Sequence, residues 1–211
     1  MAHPPPDNSV ARLGGMGEPV NGAKIALRDQ LLTGRRRRSL LDVGAAARAI
    51  ADHLLATPEV RRAATVAAYV SMGQEPGTGP FIDQLRAAGR HVILPVLLPD
   101  NDLDWARYAG AEALAPARLG LLEPTGPQLG VDAIATADVV VVPALAVDRT
   151  GLRLGRGGGS YDRALARVPV GTPVCALLFD GEVLDRVPSA PHDRRVNTVV
   201  TPAGVRTLGP V

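Results

Sequence analysis

Four consecutive valines, Val139 to Val142, set between Asp138 and Pro143, constrain this chain more than any other segment. A β-branched run without polar alternation suits a strand buried on both faces, the central position in a parallel sheet. The flanking segments fit the same plan. Thr65–Ser71, His91–Val96, Val174–Phe179 and Val196–Val200 read as strands, and Leu103–Tyr108 alternates apolar and polar residues as a half-exposed strand does. Apolar residues at near-helical spacing from Lys24 to Leu32 predict a first helix. Ser39-Leu-Leu-Asp42 has the form of a capping box for a second helix running to Ala56. Gly79–Ala88 and Tyr161–Val168 read as further helices, and Gly110–Pro127 as a Gly- and Pro-rich loop. Strands alternating with helices predict an α/β fold, a single domain over residues 21–211 with a mostly parallel central sheet flanked by helices. Residues 1–20 read as a flexible leader.

Composition excludes several classes. Apolar residues make up 46% of the 211 and charged residues 21%, an ordinary globular balance. No apolar run approaches the ~18 residues that span a bilayer; the longest candidate, from Ala133 to Val147, is broken by Asp138 and Pro143. A net charge of +2 does not mark a nucleic-acid binder. The run Arg35 to Arg38 therefore reads as a solvated connection between helices. Cys175 is the only cysteine and lies in an apolar run, so it reads as a small buried side chain in a reducing, cytoplasmic setting. No membrane or nucleic-acid partner is expected, and a monomer is the simplest assembly. Lys24 is the only lysine among 23 lysines and arginines.

The chemistry concentrates in Gly151–Arg163, GLRLGRGGGSYDR, with five glycines and three arginines. Consecutive glycines allow close backbone approach and turn N–H groups toward one point, an anion nest that a following helix N-terminus reinforces. Arg153 and Arg156 add donors suited to phosphate. Neither the P-loop pattern nor G-x-G-x-x-G fits, because the loop has no lysine and Ser160 or Asp162 falls where the last glycine belongs. Asp162 is open between a helix-capping residue and a Mg²⁺ ligand beside phosphates. Asp193, in a Pro-rich segment before the last strand, is a candidate second carboxylate, and His192 reads as a surface residue. Glu75 lies just beyond the first strand's carboxyl end, open between a ligand contact and a helix cap. Trp105 reads as core rather than as a stacking surface for a flat heterocycle, though both are open.

In order along the chain, these segments resemble the 5-formyltetrahydrofolate cyclo-ligase family, also called methenyltetrahydrofolate synthetase. Lys24-Ile-Ala-Leu-Arg28, Tyr69-Val-Ser-Met-Gly-Gln-Glu75, Leu122-Glu-Pro124, Val142-Pro143, Gly151–Asp162 and Val187-Pro188 through His192-Asp193 carry the likeness, which covers residues 21–201. It implies an ATP- and Mg²⁺-dependent closure of 5-formyltetrahydrofolate to 5,10-methenyltetrahydrofolate through a phosphorylated N5-formyl group. It also implies site roles. ATP is held by Lys24, Arg28 and Arg153 with Leu154, Gly155, Arg156, Gly157, Gly158, Gly159, Ser160 and Tyr161. The folate is held by Val70, Met72, Glu75, Trp105, Arg156 and Ser160. Arg156 and Tyr161 are the catalytic residues, and Asp162 and Asp193 bind Mg²⁺. The likeness departs at Ser160, where the family usually has a tyrosine near the formyl group. That substitution leaves a catalytically weak folate- or nucleotide-binding protein as the alternative. A sugar-phosphate or CoA-type ligand is a further enzyme alternative on the same loop.

Overall fold

The computed structural model describes residues 17–209. Most of the expected leader, residues 1–16, lies outside the described residues, and helix α1 (Gly17–Arg36) begins earlier and ends later than its apolar spacing predicts. Helices α2 (Leu40–Ala56) and α3 (Pro58–Arg62) lead into β1 (Thr65–Ala67). Then come α4 (Gly79–Ala87), β2 (His91–Leu97), β3 (Leu103–Arg107), β4 (Leu114–Pro116), β5 (Leu122–Pro124), β6 (Val139–Pro143), β7 (Ala146–Asp148) and β8 (Arg153–Leu154). The chain finishes with α5 (Ser160–Leu165), β9 (Val174–Leu177), β10 (Val183–Leu184), β11 (Thr198–Thr201) and β12 (Gly204–Thr207). The capping box forms as expected: Ser39 Oγ accepts from Asp42 N, and Asp42 Oδ2 accepts from Ser39 N.

The main sheet has the order β12-β11-β9-β6-β1-β2-β3. Its centre is parallel, and its edge pairs β2·β3 and β11·β12 are antiparallel. The valine run is the middle strand, with Val66 opposite Val139 and Val140 opposite Val174. Side chains alternate across a strand, so this run serves two cores. Val139 and Val141 pack with Ile50, Leu54, Phe81 and Leu85 from α2 and α4. Val140 and Val142 pack on the other face with Trp105, Ile134, Ala164 and Leu165. Two buried faces explain the unbroken apolar pattern. A small sheet, β10-β7-β8, supports α1, whose Leu27, Leu31 and Leu32 pack against Leu145, Ala146, Leu154 and Val187.

Several expectations are corrected. Strand β3 is buried except at Arg107, not half-exposed. Its polar Asp104 is covered because Oδ1 accepts from the N–H groups of Trp105 and Gly130. The Gly110–Pro127 segment contains the antiparallel β4–β5 hairpin, too short to show a strand period. Helix α5 is only six residues long and starts at Ser160. The arginine run is solvated only in part: Arg36 and Arg37 are exposed as expected, but Arg35 and Arg38 are not. Arg35 is 3% exposed, and its guanidinium donates to Glu182 Oε1 and Oε2 and to the Ala144 carbonyl. Arg38 lies 4.1 Å above the Phe179 ring. Cys175 is buried as expected, and burial pushes its thiol up to about 12, so it is inert as a nucleophile. No helix among the described residues is long and apolar enough to cross a membrane.

Candidate active site

The carboxyl ends of β1 and β6, where a parallel sheet presents its loops to ligands, open onto a cavity of about 400 Å³. Lys24 and Arg28 reach it from α1, and Gly155–Asp162 forms its rim beyond β8. Val70, Met72 and Glu75 enter from the loop after β1, and His192 and Asp193 from the segment before β11. The opposite wall is apolar: Pro95, Leu97, Leu103, Leu119, Leu121 and Leu122. One end is thus cationic and glycine-rich, the other greasy.

The glycine loop is shaped around arginines. Arg28 Nε donates to the Gly155 carbonyl at 2.9 Å. The Arg28 guanidinium lies 3.4–3.6 Å from where a Cβ on Gly157 would stand, and Gly157 has φ +104°. Only glycine takes that backbone without strain, and a Cβ there would be in ordinary contact with the guanidinium. Gly159, at φ +71°, turns the chain into α5. The six-residue helix adds little dipole, so the donors the segment offers are the loop's N–H groups and arginines.

Three ion pairs cross the cavity. Lys24 Nζ donates to Asp193 Oδ1 at 2.9 Å and Oδ2 at 2.6 Å. Burial opposes ionisation of Asp193, but Lys24 and the Ala190 N–H outweigh it and hold the carboxyl below the usual carboxylate range. Arg153 Nη2 donates to Asp162 Oδ1 at 3.0 Å, with the guanidinium 4% exposed. Arg156 Nε donates to Glu75 Oε1 at 3.0 Å, and Glu75 Oε2 accepts from Met72 N. Here the arginine is 54% exposed and the glutamate 8%. Arg28 alone of the four cavity lysine and arginine residues has no carboxylate partner among the described residues. Free cationic charge beside a glycine loop is what a polyphosphate needs.

Tyr161 is partly buried beside this charge. Burial, then Glu75, pushes its phenol well above the ordinary range, so it stays protonated and can donate. Asp193 has both oxygens engaged, but Asp162 Oδ2 has no partner among the described residues. No cluster of three or more metal-binding side chains exists among the described residues. One open carboxylate oxygen completed by phosphate oxygens is nevertheless a normal Mg²⁺ donor set, so the residues fit the ion when a nucleotide is present.

Every site residue singled out in the sequence lines this cavity except Trp105. That tryptophan is fully buried in the core beneath the sheet, so its assignment to the folate is corrected. His192 is half surface, half site: its side chain is 75% exposed, yet it lines the cavity. Sequence reasoning missed the apolar wall. Leu119 and Leu121 sit in a Gly- and Pro-rich segment, and only the hairpin, tied to β2 by Leu97 N donating to Glu123 Oε1, brings them to the site. It also missed Tyr69, which lines the cavity with a buried hydroxyl.

Comparison with known proteins follows the same lines. The profile of the 5-formyltetrahydrofolate cyclo-ligase family matches residues 20–202. The chain is 45% identical over 143 residues to the 5-formyltetrahydrofolate cyclo-ligase of Mycolicibacterium smegmatis, covering 65% of this chain and 73% of that one. Against the Escherichia coli protein of the same name the identity is 35% over 163 residues, covering 74% and 87%. The solved structure of Aquifex aeolicus 5,10-methenyltetrahydrofolate synthetase superposes with a TM-score of 0.75 at 27% identity, covering 88% of this chain and 92% of that one. The Mycoplasma pneumoniae 5,10-methenyltetrahydrofolate synthetase shares the fold, with a TM-score of 0.68 at 19% identity over 85% and 98%. With a profile match over most of its length and bacterial relatives at these identities, the chain belongs to the 5-formyltetrahydrofolate cyclo-ligase family.

Proposed function

We propose that this chain uses MgATP to close 5-formyltetrahydrofolate to 5,10-methenyltetrahydrofolate, and that the two ends of the cavity divide the work. The triphosphate lies along the glycine loop, with Arg28, Lys24 and Arg153 as its cations. The pterin and aminobenzoyl portions lie against Val70, Met72 and the apolar wall. The observation that carries this reading is Arg28: a cation without a carboxylate partner among the described residues, packed on Gly157 at the glycine-rich end of a cavity whose opposite wall is apolar.

The γ-phosphoryl moves from ATP to the N5-formyl oxygen, with ADP leaving, and the formyl oxygen becomes a good leaving group. N10 then attacks the formyl carbon and loses its proton, and the C–O bond breaks to release phosphate. The protein's part is positioning and charge. Arg156 exchanges Glu75 for the migrating phosphoryl, and Glu75, so released, accepts from the pterin N–H groups. Tyr161, with its phenol kept protonated, donates a hydrogen bond to the reacting oxygens. Asp162 would hold Mg²⁺, with Asp193 positioning Lys24 nearby; the ion's contribution is to neutralise phosphate charge. The same reading has one catalytic unit acting as a cytoplasmic monomer, a setting in which a single buried thiol needs no partner.

The test is near-ultraviolet absorbance of the protein mixed with 5-formyltetrahydrofolate, ATP and Mg²⁺. The methenyl band should grow and should require all three. MgATP binding without any band would favour the non-catalytic alternative, for which Ser160 is the motivating residue.

A further inference from the structure

Five buried side-chain polar atoms have no partner among the described residues: Arg38 Nε, Tyr69 Oη, Gln74 Oε1, Trp105 Nε1 and Arg153 Nε. Buried polar groups are normally paired, so each orphan asks for a reason. Arg38 lies on the Phe179 ring, and Arg153 is held through its other two nitrogens. Trp105 is core and does not reach the cavity. Gln74 borders a smaller cleft beside Arg35 and Arg36. Tyr69 is the one neutral donor of the five that lines the main cavity.

Its placement is rigid. Tyr69 follows β1, and its carbonyl accepts from Thr78 Oγ1 at 2.7 Å. Ser71 and Thr78 exchange reciprocal hydrogen bonds, 3.0 and 3.1 Å, that lock the loop bearing Val70, Met72 and Glu75. A side chain fixed this firmly, 4% exposed, has little freedom to find an acceptor elsewhere. Burial, then the nearby Glu75 carboxylate and Tyr161 phenol, hold its hydroxyl in the protonated form. It is thus an O–H donor in the cavity wall that has no acceptor among the described residues.

We propose that the Tyr69 hydroxyl is a substrate-positioning group, donating a hydrogen bond to a carbonyl oxygen at the formyl-bearing end of the bound folate. The assignment rests on the function proposed above. It makes Tyr69 part of the folate end of the cavity and not of the nucleotide end.

The experiment compares the wild-type chain with Tyr69→Phe, which keeps the ring and removes only the hydroxyl. Calorimetric titration with 5-formyltetrahydrofolate, thermal melting with and without it, and steady-state kinetics are run together. Loss of one buried hydrogen bond should weaken folate binding and raise the folate KM roughly tenfold. The ATP KM should stay unchanged, the ligand-free Tm should not fall, and the folate-induced rise in Tm should shrink. Unchanged folate affinity overturns the role of Tyr69 while leaving the proposed reaction intact. A lowered ligand-free Tm with equal losses for ATP and folate also overturns it, because that pattern marks a packing defect. If the wild-type chain neither binds nor converts the folate, the functional reading itself fails, and the assignment with it.

Discussion

Two arginine–glutamate pairs in this molecule have nearly the same hydrogen-bonding chemistry and opposite purposes. Arg35 and Glu182 are 3% and 7% exposed, and both are tied in further: Arg35 also donates to the Ala144 carbonyl, and Glu182 also accepts from Phe179 N. Arg156 and Glu75 meet at a similar distance, but the arginine stands half in water. A buried pair held in this way has no alternative partner, so it fixes α1 to the small sheet. A pair with one solvated member can exchange partners at small cost. The difference teaches that ion-pair chemistry alone does not mark a site; the freedom of one member does.

Breaking the buried pair should give the largest stability effect. Arg35→Ala leaves Glu182 buried without its counter-ion and should destabilise the fold by about 3–5 kcal/mol, measured by urea unfolding. Arg156→Ala should do the converse. Solvent screening keeps its stability cost to at most about 1 kcal/mol, while folate turnover should fall on the order of 10²–10³-fold. Equal stability losses in the two variants would erase the distinction.

Asp162→Asn sharpens the comparison at the nucleotide end. It keeps an acceptor for Arg153 but removes a charge. Loss of the counter-charge to the buried Arg153 should lower stability, by less than in Arg35→Ala because the amide oxygen still accepts, and the Mg²⁺ concentration needed for half-maximal rate should rise by roughly tenfold or more. An unchanged Mg²⁺ requirement would leave Asp162 a partner of Arg153 only.

The smallest effect concerns acid stability. Asp193 is held below its ordinary value, so its contribution is present above the unfolded value near ~3.9 and is lost as pH falls through the lower folded value. The urea midpoint should therefore drop as pH is lowered past ~4. In Lys24→Met that drop should be shallower, because the group that most lowers Asp193 is gone. An identical pH dependence in the two proteins would show that the Lys24–Asp193 pair contributes little.

Much of the site was legible because its residues are local in sequence. Arg153, Arg156, the glycines and Asp162 lie within one short stretch of sequence, and glycines at positive φ are what that composition predicts. The apolar wall was not legible. Leu119 sits at φ +58° in a hairpin of three-residue strands, below the length at which periodicity shows. Trp105 was undecided from sequence because core and stacking roles demand the same side chain, and only its neighbours choose.

The sequence by itself determined the parallel centre of the sheet and the positive-φ turns of the glycine loop. Both follow from local rules: β-branched continuity and glycine's access to positive φ. Tertiary structure alone decided which arginine is structural. Arg35 and Arg156 find their glutamates 147 and 81 residues away. No local pattern encodes a partner at that range, because burial and pairing are set by how the whole sheet packs.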